Sequence, residues 1–221
     1  MTLNVLDIIG PIMIGPSSSH TAGAVRLGLV ARKILGEEPV KAVIALSGSF
    51  ARTYRGHGTD KALLAGIMGM EPDNEDIRRS PQLAQERGLA FTFQETEIPD
   101  AHPNTARIQL TGVSGREMTM VGASTGGGNI LVTEIDHMKV SFTAQNTTLL
   151  ALHWDRPGTV AAVSNYMAKE HINIATFQLS RSKKGGKAMM TLEVDGEIPE
   201  DIVDRLRQFK NFIRITLVKV G

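Results

Sequence analysis

Ser17, Ser18, Ser19, His20 and Thr21 occupy five consecutive positions directly before a run that reads as a helix. Hydroxyls at a helix start accept hydrogen bonds from the free N–H groups there, so this run makes a good cap. One hydroxyl is enough for that task. The others are free to face an anion, because a helix N-terminus favours a carboxylate or a phosphate. His20 beside such an anion would titrate near neutral pH and could move a proton. A plain polar helix start with an exposed histidine accounts for the same residues.

A second stretch, "YRGHGTDKALLAG" from Tyr54, has the same grammar. His57 lies between two glycines, where backbone can approach a ligand closely. Gly58 leads into Thr59 or Asp60, either of which is expected to cap the next helix, and Asp60 could raise the pKa of a nearby imidazole. The alternative is a glycine-rich turn with a capping aspartate. The third candidate is "GASTGGGNI", Gly122 to Ile130. It matches neither a P-loop nor GxGxxG. Ser124, Thr125, Gly126, Gly127 and Gly128 could form a nest of N–H groups for an oxyanion, with Asn129 reading a polar substrate group. A strand-to-strand turn is the competing reading.

The remaining histidines are weaker candidates. His102 precedes a proline that marks a turn, His137 and His171 read as connector residues, and His153 is expected on a sheet surface or pairing interface. No HExxH or comparable spacing points to zinc. The 221 residues include no cysteine, so the chain has no disulfide, no thiol nucleophile and no thiolates for an iron–sulfur cluster. A net charge of +1 recruits neither nucleic acid nor anionic lipid in bulk. The one dense basic run, "RSKKGGK" from Arg181, reads as a solvated hairpin loop. No apolar run reaches the roughly 20 residues that span a bilayer. The first residues show neither a basic leader nor an A-x-A cleavage site, so the cytoplasm is the expected compartment.

These residues need elements to position them, and the pattern gives an α/β (α+β) chain in two parts. In the first, residues 1–140, a short N-terminal helix precedes the serines. Ala22, Val25 and Leu29 then line a helix to about Leu35, which Gly36 stops. "KAVIALSGSF" reads as a strand and "HGTDKALLAGIMG" as a helix, with Leu63, Ile67 and Met70 on one face. A polar, proline-punctuated excursion with a short helix follows. Strands are then expected at "AFTFQETEI", "ARIQLTG", "EMTMVGAST" and "NILVTEI", and the connection "DHMKVSFTAQNTT" has room for one more.

The second part, residues 148–221, gives β-α-β-β-α-β, a split βαβ sandwich with both helices on one face. "LLALHWD" ends at Asp155, which could cap a helix with Pro157 in its first turn. Val160, Val163 and Met167 follow helical spacing. Ala188, Met190, Leu192 and Val194 alternate with polar or exposed neighbours, and Ile202, Leu206 and Phe209 share a helix face.

"LHWDRPGTVAAVSNYMAKEHINIATFQLSR" resembles an ACT domain, a small regulatory module of amino-acid metabolism. The resemblance implies that Asp155, Gly158 and Asn173 lie where such modules pair into homo-oligomers or bind amino acids. A module that only braces its neighbour is the alternative. "GPSSSHTAGAVRLG", "GHGTDKALLAG" and "GASTGGGN" in this order, ahead of that module, resemble the beta chain of the two-chain, iron–sulfur-dependent L-serine dehydratase, or L-serine ammonia-lyase. The first part also resembles the substrate- or effector-binding domain of some long phosphoglycerate dehydrogenases.

The family resemblance covers essentially the whole chain. It implies conversion of L-serine to pyruvate and ammonia, a reaction of amino-acid metabolism and gluconeogenesis. It implies a [4Fe–4S] cluster ligated by cysteines of a partner alpha chain, no metal held by this chain, and no activity for this chain alone. A monovalent cation is an open further cofactor. The expected proton-handling pair is His20 and His57. Ser17 to Ser19, Thr21, Gly58 to Asp60 and Ser124 to Asn129 are expected to bind substrate. The alternative is a regulatory subunit that binds L-serine as an effector without contributing to catalysis.

Overall fold

A computed structural model describes residues 17–219; the expected N-terminal helix lies outside them. The chain forms two compact units, one up to Asp136 and one from His137. Among the described residues no helix is long and apolar enough to cross a membrane.

The first unit opens with helix α1 (Ala22–Leu35), which Gly36 ends in a left-handed conformation with its N–H bonded to the Arg32 carbonyl. Strand β1 (Pro39–Ser47) follows. It is shorter than expected, because Gly48 turns the chain straight into helix α2 (Gly48–His57). Then come α3 (Thr59–Ile67), a 3-10 turn (Glu75–Arg79) and α4 (Ser80–Glu86). Strands β2 (Ala90–Glu95), β3 (Asn104–Gly112), β4 (Glu117–Gly126) and β5 (Asn129–Ile135) complete the unit. Within it the sheet order is β2-β1-β3-β4-β5, with β1 and β2 parallel and the other pairs antiparallel.

Helix α1 is the centrepiece, lying against β3, β4 and β5 on one side and α3 on the other. It is therefore apolar nearly all round, and Leu27, Val30, Ala31 and Leu35 are completely buried. Its glycines are where neighbours come closest. A Cβ on Gly28 would stand 2.5 Å from the Leu63 carbonyl oxygen, and one on Gly66 would stand 2.0 Å from that of Val25. Helices α1 and α3 thus cross backbone to backbone. Interior glycines cost a helix about 1 kcal/mol each relative to alanine, and here that cost allows the close crossing.

The second unit begins with β6 (Met138–Phe142), the additional strand the connection had room for. The order β7 (Thr147–Trp154), α5 (Thr159–Lys169), β8 (Ile174–Arg181), β9 (Lys187–Val194), α6 (Glu200–Arg207), β10 (Phe212–Val218) is the expected β-α-β-β-α-β. Its antiparallel sheet runs β10-β7-β9-β8. Leu149, Ala151, Met190, Leu192 and Val194 of the sheet pack on Val163, Met167, Ile202 and Leu206 of the helices.

Four details differ from the sequence expectation. Val160 and Phe209 are exposed, Phe209 lying past the end of α6. Strand β9 is buried on both faces, because β6 and the residues after it cover the second one. There Glu193 accepts hydrogen bonds from the Thr143 N–H and hydroxyl, both at 3.1 Å, and from Thr176 at 2.9 Å. Asp155 caps nothing, since Gly158 takes the cap position of α5 and Pro157 precedes the helix. Asp155 instead accepts from the Gly185 N–H at 3.0 Å and from Arg181 at 3.1 Å, which ties the end of β7 to the β8–β9 turn.

Candidate active site

Ser17 to Thr21 form a turn, and the capping task falls to its carbonyls. The Ser17 carbonyl accepts from the Thr21 N–H at 2.8 Å and the Ser18 carbonyl from the Gly23 N–H at 2.9 Å. Thr21 holds the cap position of α1 without a side-chain cap bond, so the expected hydroxyl cap is not the one used. Ser17, Ser18 and Ser19 are half-buried, while His20 and Thr21 are buried.

The expected cap at the second motif is also replaced. Gly58, at φ 72°, ends α2 and occupies the cap position of α3. A β-carbon is disfavoured in that left-handed conformation, so glycine suits the join. Thr59 and Asp60 are therefore the first two residues of α3. Thr59 is fully buried, and Asp60 is half-buried, with burial pushing its carboxyl above the usual range against the opposing N–H of Lys61. His57 is the last residue of α2 and is exposed.

The crossing of α1 and α3 brings the two histidines together. Their ring centroids are 4.7 Å apart, at 87°. His20 is 8% exposed and has Phe50 edge-on at 5.3 Å. Both of its ring nitrogens have partners: Nδ1 lies 3.2 Å from the Ser17 hydroxyl and Nε2 lies 3.2 Å from the Thr53 hydroxyl. Burial, and then the neighbouring His57, hold the His20 pKa below the ordinary imidazole value. Two imidazolium charges at this separation would repel by up to about 3–4 kcal/mol at an effective dielectric of 20, an upper bound for an exposed partner. Burial and the adjoining ring therefore both favour the uncharged form of His20.

The third motif reaches the same place. The β4–β5 hairpin turns through Gly126, Gly127 and Gly128, all at positive φ, and is the strand-to-strand turn. A Cβ on Gly126 would lie 4.0 Å from the Ser19 hydroxyl, and Arg26 of α1 donates to the Gly128 carbonyl at 3.2 Å. Thr125 and Asn129 are exposed beside the turn. Ser124 is fully buried, where a Cβ on Gly23 would meet its hydroxyl oxygen at 2.0 Å. The Oγ atoms of Thr59 and Ser124 and Oδ1 of Asp60 are buried with no hydrogen-bond partner among the described residues.

Sequence reasoning missed three residues of this assembly: Ser49, Phe50 and Thr53, all on α2. Thr53 stands four residues before His57 and so shares its helix face, a spacing that identifies it once α2 is recognised as a helix. Among the described residues no group of three His, Asp or Glu side chains could hold a metal ion.

The other histidines lie elsewhere. Nδ1 of His102 accepts from the Asn104 N–H at 3.1 Å, and His137 and His171 are turn residues at positive φ. His153 is 2% exposed inside the second unit rather than on a sheet surface. Asn173 donates to Asp195 at 2.6 Å, at the opposite end of the β8–β9 hairpin from Asp155. Gly158 is exposed.

Residues 4–135 match the family described as serine dehydratase beta chain, and residues 147–211 match the ACT domain. Over 97% of both chains this one is 41% identical to a probable L-serine dehydratase, beta chain, of Bacillus subtilis. It is 34% identical to the L-serine dehydratase, beta chain, of Peptoniphilus asaccharolyticus over 98% of both. A D-3-phosphoglycerate dehydrogenase of Methanocaldococcus jannaschii is 26% identical over 72% of this chain and 28% of its own length.

Proposed function

The chain belongs to the serine dehydratase beta chain family, and from that membership we propose that it is the beta subunit of an L-serine dehydratase. In this reading it completes a site shared with an alpha chain. The observation that carries it is the contact between His20 and His57, 37 positions apart in sequence, beside a serine-rich turn and a triglycine hairpin.

Dehydrating serine requires loss of the α-proton and departure of the β-hydroxyl as water. The resulting enamine becomes an imine, which water hydrolyses to pyruvate and ammonia. A [4Fe–4S] cluster does not fit this chain, which has no cysteine; in the proposed assembly it belongs to the alpha chain. What this chain contributes is proton handling and binding. His57, being exposed, is the base that meets the α-proton. His20 stands behind it uncharged, so His57 can accept a proton without opposing a second cation. Ser18, Ser19 and the Gly126–Gly128 turn present hydroxyl and N–H donors suited to the substrate carboxylate.

The test is to co-purify this chain with its cluster-bearing alpha chain and to assay pyruvate release from L-serine without oxygen. Activity only in the assembly, abolished by His57→Ala, is the expected result. Near-normal turnover in both His57→Ala and His20→Ala, with tight serine binding by the isolated chain, would instead make it a regulatory subunit.

A further inference from the structure

The hydroxyl of Thr53 has a single proton, and its surroundings determine where that proton goes. Thr53 Oγ1 lies 2.8 Å from the Ser49 carbonyl oxygen, one helical turn back, and 3.2 Å from Nε2 of His20. A carbonyl only accepts, and two oxygens 2.8 Å apart with no proton between them repel, so the Thr53 proton sits on the Ser49 side. Thr53 Oγ1 therefore faces His20 as an acceptor, and Nε2 carries the ring hydrogen. With His20 neutral, Nδ1 then has only a lone pair and accepts from the Ser17 hydroxyl, whose oxygen also accepts the His20 N–H at 3.4 Å.

We propose that Thr53 is a positioning residue for the reaction, fixing His20 as its Nε2–H tautomer through the chain Ser49 carbonyl, Thr53 hydroxyl, His20 ring, Ser17 hydroxyl. The inference rests on the reading of His20 and His57 as the proton-handling pair. Its function follows from the neighbouring ring. A histidine whose Nε2–H is accepted by one hydroxyl and whose Nδ1 lone pair is engaged by another can take an extra proton only if the Ser17 hydroxyl turns round to accept. It stays neutral while His57, 4.7 Å away, takes up and releases one. Ser17 is held with its proton turned toward His20, leaving oxygen lone pairs directed away from the ring. Helix α2 provides this because Thr53 and His57 are four residues apart on one face, so the same helical turn carries the proton-exchanging ring and the group that orients its neighbour.

The experiment labels the histidines of the full chain with 15N and reads the two-bond 1H–15N pattern of His20 in wild type, Thr53→Val and Thr53→Ser. Valine matches threonine in shape and removes the hydroxyl; serine restores it. The expected result is an Nε2–H ring in wild type and Thr53→Ser, and mixed tautomers in Thr53→Val. The amide spectrum of β1, β3 and β4 should be preserved, which guards against misfolding. In the assembled two-chain enzyme, Thr53→Val should then lower kcat by up to roughly 100-fold with little change in KM, and Thr53→Ser should recover it.

An Nδ1–H ring in wild type, or an unaltered pattern in Thr53→Val, overturns the role of Thr53 and leaves the histidine pair standing. A tautomer shift without any loss of turnover removes His20 from the reaction, and the positioning role with it.

Discussion

Among the described residues two histidines are buried, one in each unit, and they are held in opposite ways. His20 is clasped by side chains from two elements, Ser17 before α1 and Thr53 on α2, with a second imidazole against its ring. His153 bonds only to the main chain beside it, Nδ1 lying 2.8 Å from the Trp154 carbonyl oxygen. That carbonyl requires the hydrogen on Nδ1, the tautomer opposite to that of His20. Its Nε2 is buried with no partner among the described residues, and Phe212 lies edge-on at 6.0 Å. Burial alone therefore does not mark a site. What distinguishes His20 is convergence of polar groups from separate elements onto a ring whose neighbour reaches solvent.

The most forceful way to break this comparison is to remove each imidazole from the assembled enzyme. His57→Ala and His20→Ala should each lower pyruvate formation by about 10²- to 10⁴-fold, the usual worth of a positioned acid–base group. His153→Ala should leave kcat within about threefold. Comparable losses at His153 and His57 would show that the distinction between the two surroundings has no functional content.

Next in size is the crossing that brings the pair together. In Gly66→Ala the new methyl meets the backbone of α1, the Val25 carbonyl oxygen and the Leu29 nitrogen, and neither can swing aside as a side chain would. Forced separation should cost about 1–3 kcal/mol in urea melts, the usual range for overpacking, and should reduce turnover by displacing α3 and the junction at His57. Gly158→Ala in the second unit meets nothing within 4 Å and is strained only by its φ of 86°, so about 1 kcal/mol is expected there, with turnover unchanged. Equal costs would mean that the close crossing does not set the site.

The surroundings of His20 also give the fold a pH response. The folded His20 value lies below the ordinary imidazole value. As pH falls below about 6.5, the unfolded chain takes up a proton that the folded chain refuses. Stability from this group is thus complete above that pH and is lost progressively as pH falls toward the lower folded value. Urea melts from pH 8 to pH 5 should show this decline, and His20→Gln should flatten it.

Much of this arrangement was legible in the residue pattern, and the part that was not has a physical reason. Helix α1, its stop at Gly36 and the β-α-β-β-α-β order follow from apolar periodicity and turn residues. The periodic signal is strong there because each element buries a continuous stripe. Helix α2 gives no such signal: of its ten residues only Phe50 is buried, so Gly48–Phe50 read as the end of a strand, His57 as the start of the next helix, and the residues between them as no element. The missed helix concealed Ser49, Phe50 and Thr53, and with them the environment of His20. The two misplaced caps of the first unit have a related cause. Hydroxyl and carboxyl residues at a helix start suggest capping, but the carbonyls of the Ser17 turn and Gly58 already hold those positions, which leaves the side chains for other work. Gly28 and Gly66 carried a readable signal, since an interior helix glycine usually has a packing reason.

The smallest expected effect sharpens the comparison most. His153→Leu removes the hydrogen bond to the Trp154 carbonyl, a loss of about 0.5–1.5 kcal/mol, and the edge contact with Phe212, worth a similar amount. It also removes the unpartnered Nε2, whose burial costs about 1–3 kcal/mol. Leucine fills a similar volume on the face that already carries Leu149 and Ala151. The opposing contributions nearly cancel, so the midpoint of unfolding should correspond to a change within about 1 kcal/mol, and turnover should not move. His20→Leu has no such compensation: both ring hydrogen bonds are lost, and the Ser17 hydroxyl and the Thr53 oxygen are left beside an apolar side chain. A denaturant series on the two leucine variants measures the asymmetry directly. If His153→Leu proves as damaging as His20→Leu, the orphaned nitrogen has an unrecognised partner, and the second unit holds a functional histidine of its own.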